Sequence, residues 1–186
     1  MNILALEIST TSSKAQFYDT LTGRSSIRSA RNSRDLSIDD LCLQVIKLGK
    51  EAAEGESLDC ITTAGTWHSL VVCDEEHNPV MPLMEWTDIS NRDFCEDLRS
   101  DTSFVESYYH DSGAMVNAIY PFFKLLKFQR EGILTSRHRV SSLASHLHYR
   151  LTGQWKETAS MLSGMGLLST GKEEIHRFAE ALSCKI

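Results

Sequence analysis

The segment Glu7-Ile8-Ser9-Thr10-Thr11-Ser12-Ser13-Lys14 places a carboxylate, a run of hydroxyl side chains and an ammonium close together. A tight turn there would aim backbone N–H groups and hydroxyls outward in one direction, which is how polypeptide cradles phosphate oxygens. The lysine nearby would add charge to such a nest. Glu7 ends an apolar run and could hold Mg²⁺ through one of the waters that this ion usually keeps. The same residues also describe an ordinary hairpin turn, because serine and threonine favour turns.

A second constellation is Gly65-Thr66-Trp67-His68-Ser69-Leu70 followed by the stretch from Pro79 to Asp88. Trp67, His68, Trp86 and Asp88 fall at expected strand ends. Indole faces stack on the C–H faces of a polyol while imidazole and carboxylate bond its hydroxyls. The alternative is two core tryptophans with His68 as a satisfied partner. Met161, Leu162, Met165 and Leu167 have the spacing of core packing. His146 and His148, two apart, cannot share a helix face and do not make a metal pair. Lys124 with Lys127, and Arg137 with Arg139, have the spacing of solvated faces.

These residues need a scaffold. Ile3–Ile8, Lys14–Tyr18 and Ser25–Ala30 predict three strands joined by turns, an antiparallel meander. Ser37 is the expected N-cap of a helix whose inner face is Ile38, Leu41, Cys42, Val45, Ile46, Gly49 and Ala52, ending at Gly55. Leu58–Thr63 and Leu70–Cys73 predict strands, with Gly65 as a turn and Asp74–Pro79 as a polar hairpin loop before Val80–Trp86. Helices are predicted over Asp88–Leu98, Thr102–His110, Val140–Leu151 and Lys172–Leu182. Strands first, then strand–helix alternation, then a helix-rich end make an α/β domain. The helix carrying Val140 to Leu151, and the apolar residues Ile119, Phe122, Phe123, Leu125, Leu126 and Phe128, hold more apolar surface than one helix face needs. That excess predicts an exposed apolar patch for another domain or a second copy of the chain.

A length of 186 residues suits one domain or two small ones, with 41% apolar and 24% charged residues. The net charge of −6, with no long single-sign run, argues against nucleic acid or a polybasic membrane surface as partner. The five widely spaced cysteines lack a CxxC pair, which argues for a reducing, cytoplasmic setting over a disulfide framework. The apolar stretch at the N-terminus is too short for a signal peptide or a membrane span.

Taken in order, these segments resemble the FGGY family of carbohydrate kinases. That family opens with a phosphate-loop motif, D-x-G-T-T-S, and a second strand bearing lysine or arginine, here Glu7 to Lys14. Its G-x-x-H-G/S-L-V strand is here Gly65 to Val71, ending at Asp74, and its P-x-x-x-W-x-D-x-R segment is here Pro82 to Asp88. Ser112-Gly113 through Lys124-Leu125-Leu126 resembles T-G-x(n)-K-L-L-W. Tyr149 to Gly153 resembles Y-R-L-T-G, and Ser160 through Leu167 resembles the end of D-x-S-x-A-S-x-T-G-L. Serine after His68 brings the chain nearest the gluconate-kinase and xylulose-kinase branch. Glu7 replaces the family aspartate, Ser9 a glycine, Thr158 an aspartate and Ser90 an arginine.

The resemblance implies a ribonuclease-H-like, actin-like domain in which three antiparallel strands continue into parallel ones flanked by helices. Residues 1–186 would be most of the N-terminal, sugar-binding domain, without the C-terminal nucleotide-binding one. It implies ATP and Mg²⁺ as cofactors and a sugar or sugar acid as substrate. Trp67, His68, Trp86 and Asp88 would bind substrate, Thr10, Thr11, Ser12 and Lys14 phosphate, and Glu7 the metal. The base aspartate would lie on the missing domain, so this chain would hold no catalytic residue and turn over nothing alone. A partner is then the C-terminal kinase domain or its equivalent. The alternative is a silent remnant that binds a sugar or another protein.

Overall fold

A computed structural model describes residues 1–172 and 174–186. It contains two units. The first is Met1–Thr66 with Leu143–Lys156, and the second is Trp67–Ser142 with Glu157–Ile186.

In the first unit, β1 (Asn2–Ile8), β2 (Ser12–Asp19) and β3 (Ser25–Arg31) form the expected antiparallel meander. β4 (Cys60–Gly65) pairs parallel to β1, so the sheet runs β3-β2-β1-β4. Alternation dictates the faces: Leu4, Leu6, Ile8, Ala15 and Phe17 are buried, while Glu7, Lys14, Gln16 and Tyr18 point to the opposite side. Helix α1 (Ile38–Ala53) packs on this sheet with Leu41, Cys42, Val45, Leu48 and Ala52 inward. Ser37 caps it in a reciprocal box with Asp40, which satisfies two otherwise orphaned N–H groups. Gly65 is the last residue of β4 and not a turn. It lies against Ala144 of α5 (Leu143–Thr152), the helix that packs on β4.

In the second unit, β5 (Val71–Cys73) pairs antiparallel with β6 (Arg139–Ser141). Among the described residues this unit also contains five helices: α2 (Arg92–Arg99), α3 (Thr102–Ser112), α4 (Pro121–Arg130), α6 (Ala159–Gly164) and α7 (Arg177–Glu180). Their core contains Leu70, Val72, Cys95, Tyr108, Phe122, Phe123, Leu125, Val140, Met165 and Leu167. Tyr108 is its hub, stacked on Phe122 at 5.1 Å and edge-on to Phe123 at 5.0 Å. Ser142 and Glu157, the residues flanking the excursion 143–156, are bonded to each other. The Ser142 backbone N–H donates to Glu157 Oε2 at 2.7 Å and its hydroxyl to Oε1 at 3.0 Å.

Several expectations need correction. Val140 lies in β6, and the helix starts only at Leu143. Its i,i+3 spacing to Leu143 mimics a helix face, but Val140 pairs with Val72 in a buried two-strand ladder. Val80–Trp86 makes only isolated bridges, Leu70 with Met84 and Cys73 with Pro79 flanking it. The predicted last helix shrinks to α7, because Ile175 bridges Leu168 and His176 is the N-cap; Glu173, within that prediction, lies outside the described residues. The residues of the expected apolar patch divide: Phe122, Phe123, Leu125, Leu143 and Leu147 are fully buried, whereas Ile119, Leu126, Phe128 and Leu151 are half-buried. No helix among the described residues is long and apolar enough to cross a membrane.

His176 couples this core to pH. Its Nδ1 accepts from the Ala179 N–H at 3.1 Å, so the neutral ring carries its proton on Nε2, which donates to Gly166 O at 2.7 Å. Burial holds its pKa below the ordinary 6.5. The unfolded chain therefore takes up a proton that the folded one resists. Stability is full above about 6.5 and falls as the pH drops below it. His176→Asn retains a capping oxygen but has no such titration, so its melting temperature should fall less than the parent's between neutral and mildly acidic pH. Equal losses in a thermal melt would refute this.

Candidate functional site

The hydroxyl-rich hairpin sits between β1 and β2. Ser9 N–H donates to Ser12 O at 3.0 Å, and the Ser9 hydroxyl donates to the same oxygen at 2.8 Å. Among described non-glycine residues only Glu54, His68 and His77 have positive φ, so Ser9 adopts its backbone without strain where the family motif has glycine. Thr11 is exposed, and no described residue bonds its N–H or hydroxyl. The loop thus presents a donor to solvent at the position expected for phosphate.

A residue that spacing alone did not flag, Asn32, braces this loop. Its Nδ2 donates to Ser9 O at 2.7 Å, and its Oδ1 accepts from the Ser13 hydroxyl at 2.8 Å and from Gln44 Nε2 at 2.9 Å. Its backbone N–H also donates to Thr11 O at 2.9 Å. The one sign of it in the sequence is weak, an asparagine just after an expected strand. Glu7 and Lys14 are directly opposed in the β1–β2 register and form an ion pair at 3.3 Å, each about half exposed. Such a pair contributes at most about 1 kcal/mol and opens readily to a competing anion. One carboxylate that already accepts from an ammonium does not make a Mg²⁺ site of its own, although it can hold a water of such an ion. No group of three or more potential metal ligands occurs among the described residues.

The second constellation belongs to the second unit. Trp67 and Trp86 are 53% and 48% exposed, so neither is a core residue. His68 adopts φ 59°, and its Nδ1 bonds the carbonyl oxygen of Gly164 at the end of α6. Tyr120, which precedes α4, meets the His68 ring edge-on at 5.0 Å. The Trp67 indole lies over Gly164, and its ring centroid is 5.8 Å from that of His68. The antiparallel bridge between Leu70 and Met84 sets the register of the two segments, with His68 and Trp86 each two residues beyond it. Asp88 is half-buried, and its Oδ1 accepts from the Ser90 N–H at 3.0 Å. Sequence reasoning missed Tyr120 and Gly164, because neither carries a charge or a distinctive spacing.

Lys124 corrects another expectation. It is 2% exposed, with Nζ donating to Ala118 O at 3.0 Å, and is not on a solvated face. Burial pushes its pKa down, opposed by the nearby Asp88 carboxylate and the Cys95 thiol. One turn on, Lys127 Nζ reaches Ser90 O at 3.5 Å. Helix α4 therefore reaches the 88–90 turn through the Lys127 bond to Ser90 O. Thr158, standing where the family motif has aspartate, caps α6 by accepting from the Met161 N–H at 3.2 Å. A threonine oxygen does the same capping work as a carboxylate here.

Residues 37–177 match the N-terminal domain of the FGGY family of carbohydrate kinases, and the chain belongs to that family. Its fold is the ribonuclease-H-like one shared with that family. Solved structures with this fold include gluconate kinase from Lactobacillus acidophilus, at TM-score 0.85 and 18% identity over 99% of this chain and 40% of that one. Ligand-bound xylulose kinase from Lactobacillus acidophilus superposes at 0.85 and 16% identity, over 99% and 41%. Plasmodium falciparum glycerol kinase with ADP superposes at 0.83 and 14%, over 97% and 40%. The chain thus spans about two fifths of the length of these proteins. No curated protein sequence matches it. The hydroxyl-rich hairpin lies before the matched residues, whereas Trp67 to Asp88 lie within them.

Replacing Asn32 with alanine should leave Ser9 O without its side-chain partner and cost roughly 1–3 kcal/mol of stability. Amide exchange at residues 9–13 should quicken by about tenfold or more, as expected of a turn freed from its brace. Unchanged exchange in that segment would show that the brace is idle.

Proposed function

We propose that this chain is the sugar-binding part of an ATP-dependent carbohydrate kinase that transfers a γ-phosphate to a hydroxyl of a ketose or sugar acid. The observation that carries this reading is the pair of half-exposed indoles, Trp67 and Trp86, on segments bridged beside a fixed His68, in a chain of the FGGY family. Exposed indole is costly in water and useful against the C–H face of a sugar. In this reading Trp67 and Trp86 stack on the substrate while His68 and Asp88 bond its hydroxyls.

On the first unit, Thr10, Thr11, Ser12 and Lys14 take phosphate oxygens, and Glu7 orients a water held by Mg²⁺. ATP with Mg²⁺ supplies the phosphoryl group and spreads its charge during transfer. The base that takes the sugar proton would come from a C-terminal domain on further polypeptide, in keeping with the two-fifths coverage of the related kinases. Such transfer is mostly positioning, so the chain alone would bind sugar without turning it over.

The test is calorimetry of the 186-residue chain with D-xylulose and with D-gluconate. Binding of either sugar, weakened about tenfold by Trp67→Ala and by Trp86→Ala, is expected. No binding of either would sink the reading, and product from ATP and sugar with this chain alone would remove the need for a second domain. A second reading, a silent sugar-binding or protein-binding remnant, is favoured by the mutual neutralisation of Glu7 and Lys14. Turnover on addition of a related C-terminal kinase domain would exclude it, and binding without turnover would favour it.

A further inference from the structure

We infer that β4 is a docking edge, and that its occupant is a second copy of this chain, paired strand to strand about a two-fold axis. The inference is independent of the sugar-binding reading and stands on the first unit alone. The sheet β3-β2-β1-β4 has two edges, and they are built differently. β3 carries Arg28 and Arg31, and the Arg28 guanidinium is held by Glu54 at 3.0 Å. Charge of that kind on an edge discourages pairing with another chain. β4 has no charged residue and no proline, and its centre, Ile61-Thr62-Thr63, is β-branched. Among the described strands it pairs with β1 alone.

Burial repeats the contrast. Ile61 is directly opposed to Leu4 in the β1–β4 register and faces the same side of the sheet. Leu4 is 5% exposed and Ile61 46%. Cys60, Thr62 and Ala64, on the opposite face, are exposed as well. Strands in parallel register are ordinarily covered on both faces, and this one is covered only where Gly65 meets Ala144 of α5. An uncharged strand can meet its own copy without setting like charges opposite each other. Self-complementary contact about a two-fold axis is also the commonest way for identical chains to associate. Opposed residues must share a face, so the axis falls on Thr62 or on Thr63 and not between them. With Thr62 on the axis, Cys60 opposes Ala64 and Ile61 opposes Thr63 of the second copy. With Thr63 on the axis, Ile61 opposes Gly65. In either register the two Cys60 residues lie about 14 Å or more apart along the strands.

The first measurement is sedimentation of the reduced 186-residue chain, in which a reversible equilibrium between monomer and dimer is expected. Ile61→Lys changes an exposed side chain and should weaken the dimer by about tenfold or more, with the circular dichroism spectrum unchanged. A chain that stays monomeric at tens of micromolar overturns the inference and leaves the edge to another polypeptide. A folded Ile61→Lys chain that dimerises as the parent does overturns it too. The second measurement is cross-linking by mild oxidation. In a Cys60→Ser background, Thr62→Cys or Thr63→Cys should form a disulfide between two chains. Leu21→Cys, exposed between β2 and β3, should not, and neither should Cys60 in the parent chain. Linkage through Cys60 alone would mean parallel stacking of edges. Linkage as fast at Leu21→Cys as at either threonine position would mean random collision. Both results overturn the two-fold pairing.

Discussion

The Gly166 carbonyl oxygen ties the second unit together. It accepts from the Tyr108 hydroxyl at 3.0 Å and from His176 Nε2 at 2.7 Å, so both lone pairs are used in a buried place. Gly166 sits at φ 73°, and a Cβ there would fall 2.9 Å from the Tyr108 hydroxyl. Glycine is thus required both by the backbone and by the space. Through this oxygen α3, which carries Tyr108, and α7, which His176 caps, are fixed to the turn after α6. A Cβ at Gly166 would also fall 3.3 Å from Tyr120 Cβ, so the same glycine leaves room for the ring that meets His68. Burial of the Tyr108 ring raises its pKa and keeps the hydroxyl a donor.

The first unit rests on a simpler constraint, one buried sheet face covered by α1. Ser13 is buried on that face at the base of the hairpin and is used through its bond to Asn32. Glu7 and Lys14 share the opposite face, where the pleat leaves both reachable by solvent. A turn can therefore be held firmly from one side while its charged residues stay available on the other. The family motif has glycine at the start of this turn, yet Ser9 adopts an unstrained backbone and adds a hydroxyl bond of its own.

What was legible in the sequence was what local chemistry decides. The period-2 runs in β1 and β2 and the capping box at Ser37 with Asp40 are settled within a few residues, and strands and helix start appear where these patterns put them. Helix α4 was illegible because it is apolar on nearly every side. Phe122, Phe123 and Leu125 are all buried, so no amphipathic stripe marks it, and the usable sign was Pro121 at its first position. Lys124 misled for the opposite reason: lysines three apart normally mark a solvated face, and only the tertiary core around Ala118 O turns one of them inward. In the candidate site the charged and aromatic members Trp67, His68, Trp86 and Asp88 announced themselves by type. Gly164 did not, because it acts through a carbonyl and through an absent side chain.

The bond between Ser142 and Glu157 means that the chain leaves the second unit and re-enters it at the same point. The excursion between them, α5 and its tail, is a closed lasso whose contents serve the other unit. Nascent chains fold in the order in which they emerge. The first 66 residues can therefore form sheet and helix early, but β4 must wait for α5 until the whole of 67–142 has been made. Throughout that interval the β4 side of the sheet is a nascent-chain surface without its helix, so the order of synthesis fixes which face most needs shielding while the protein is being born.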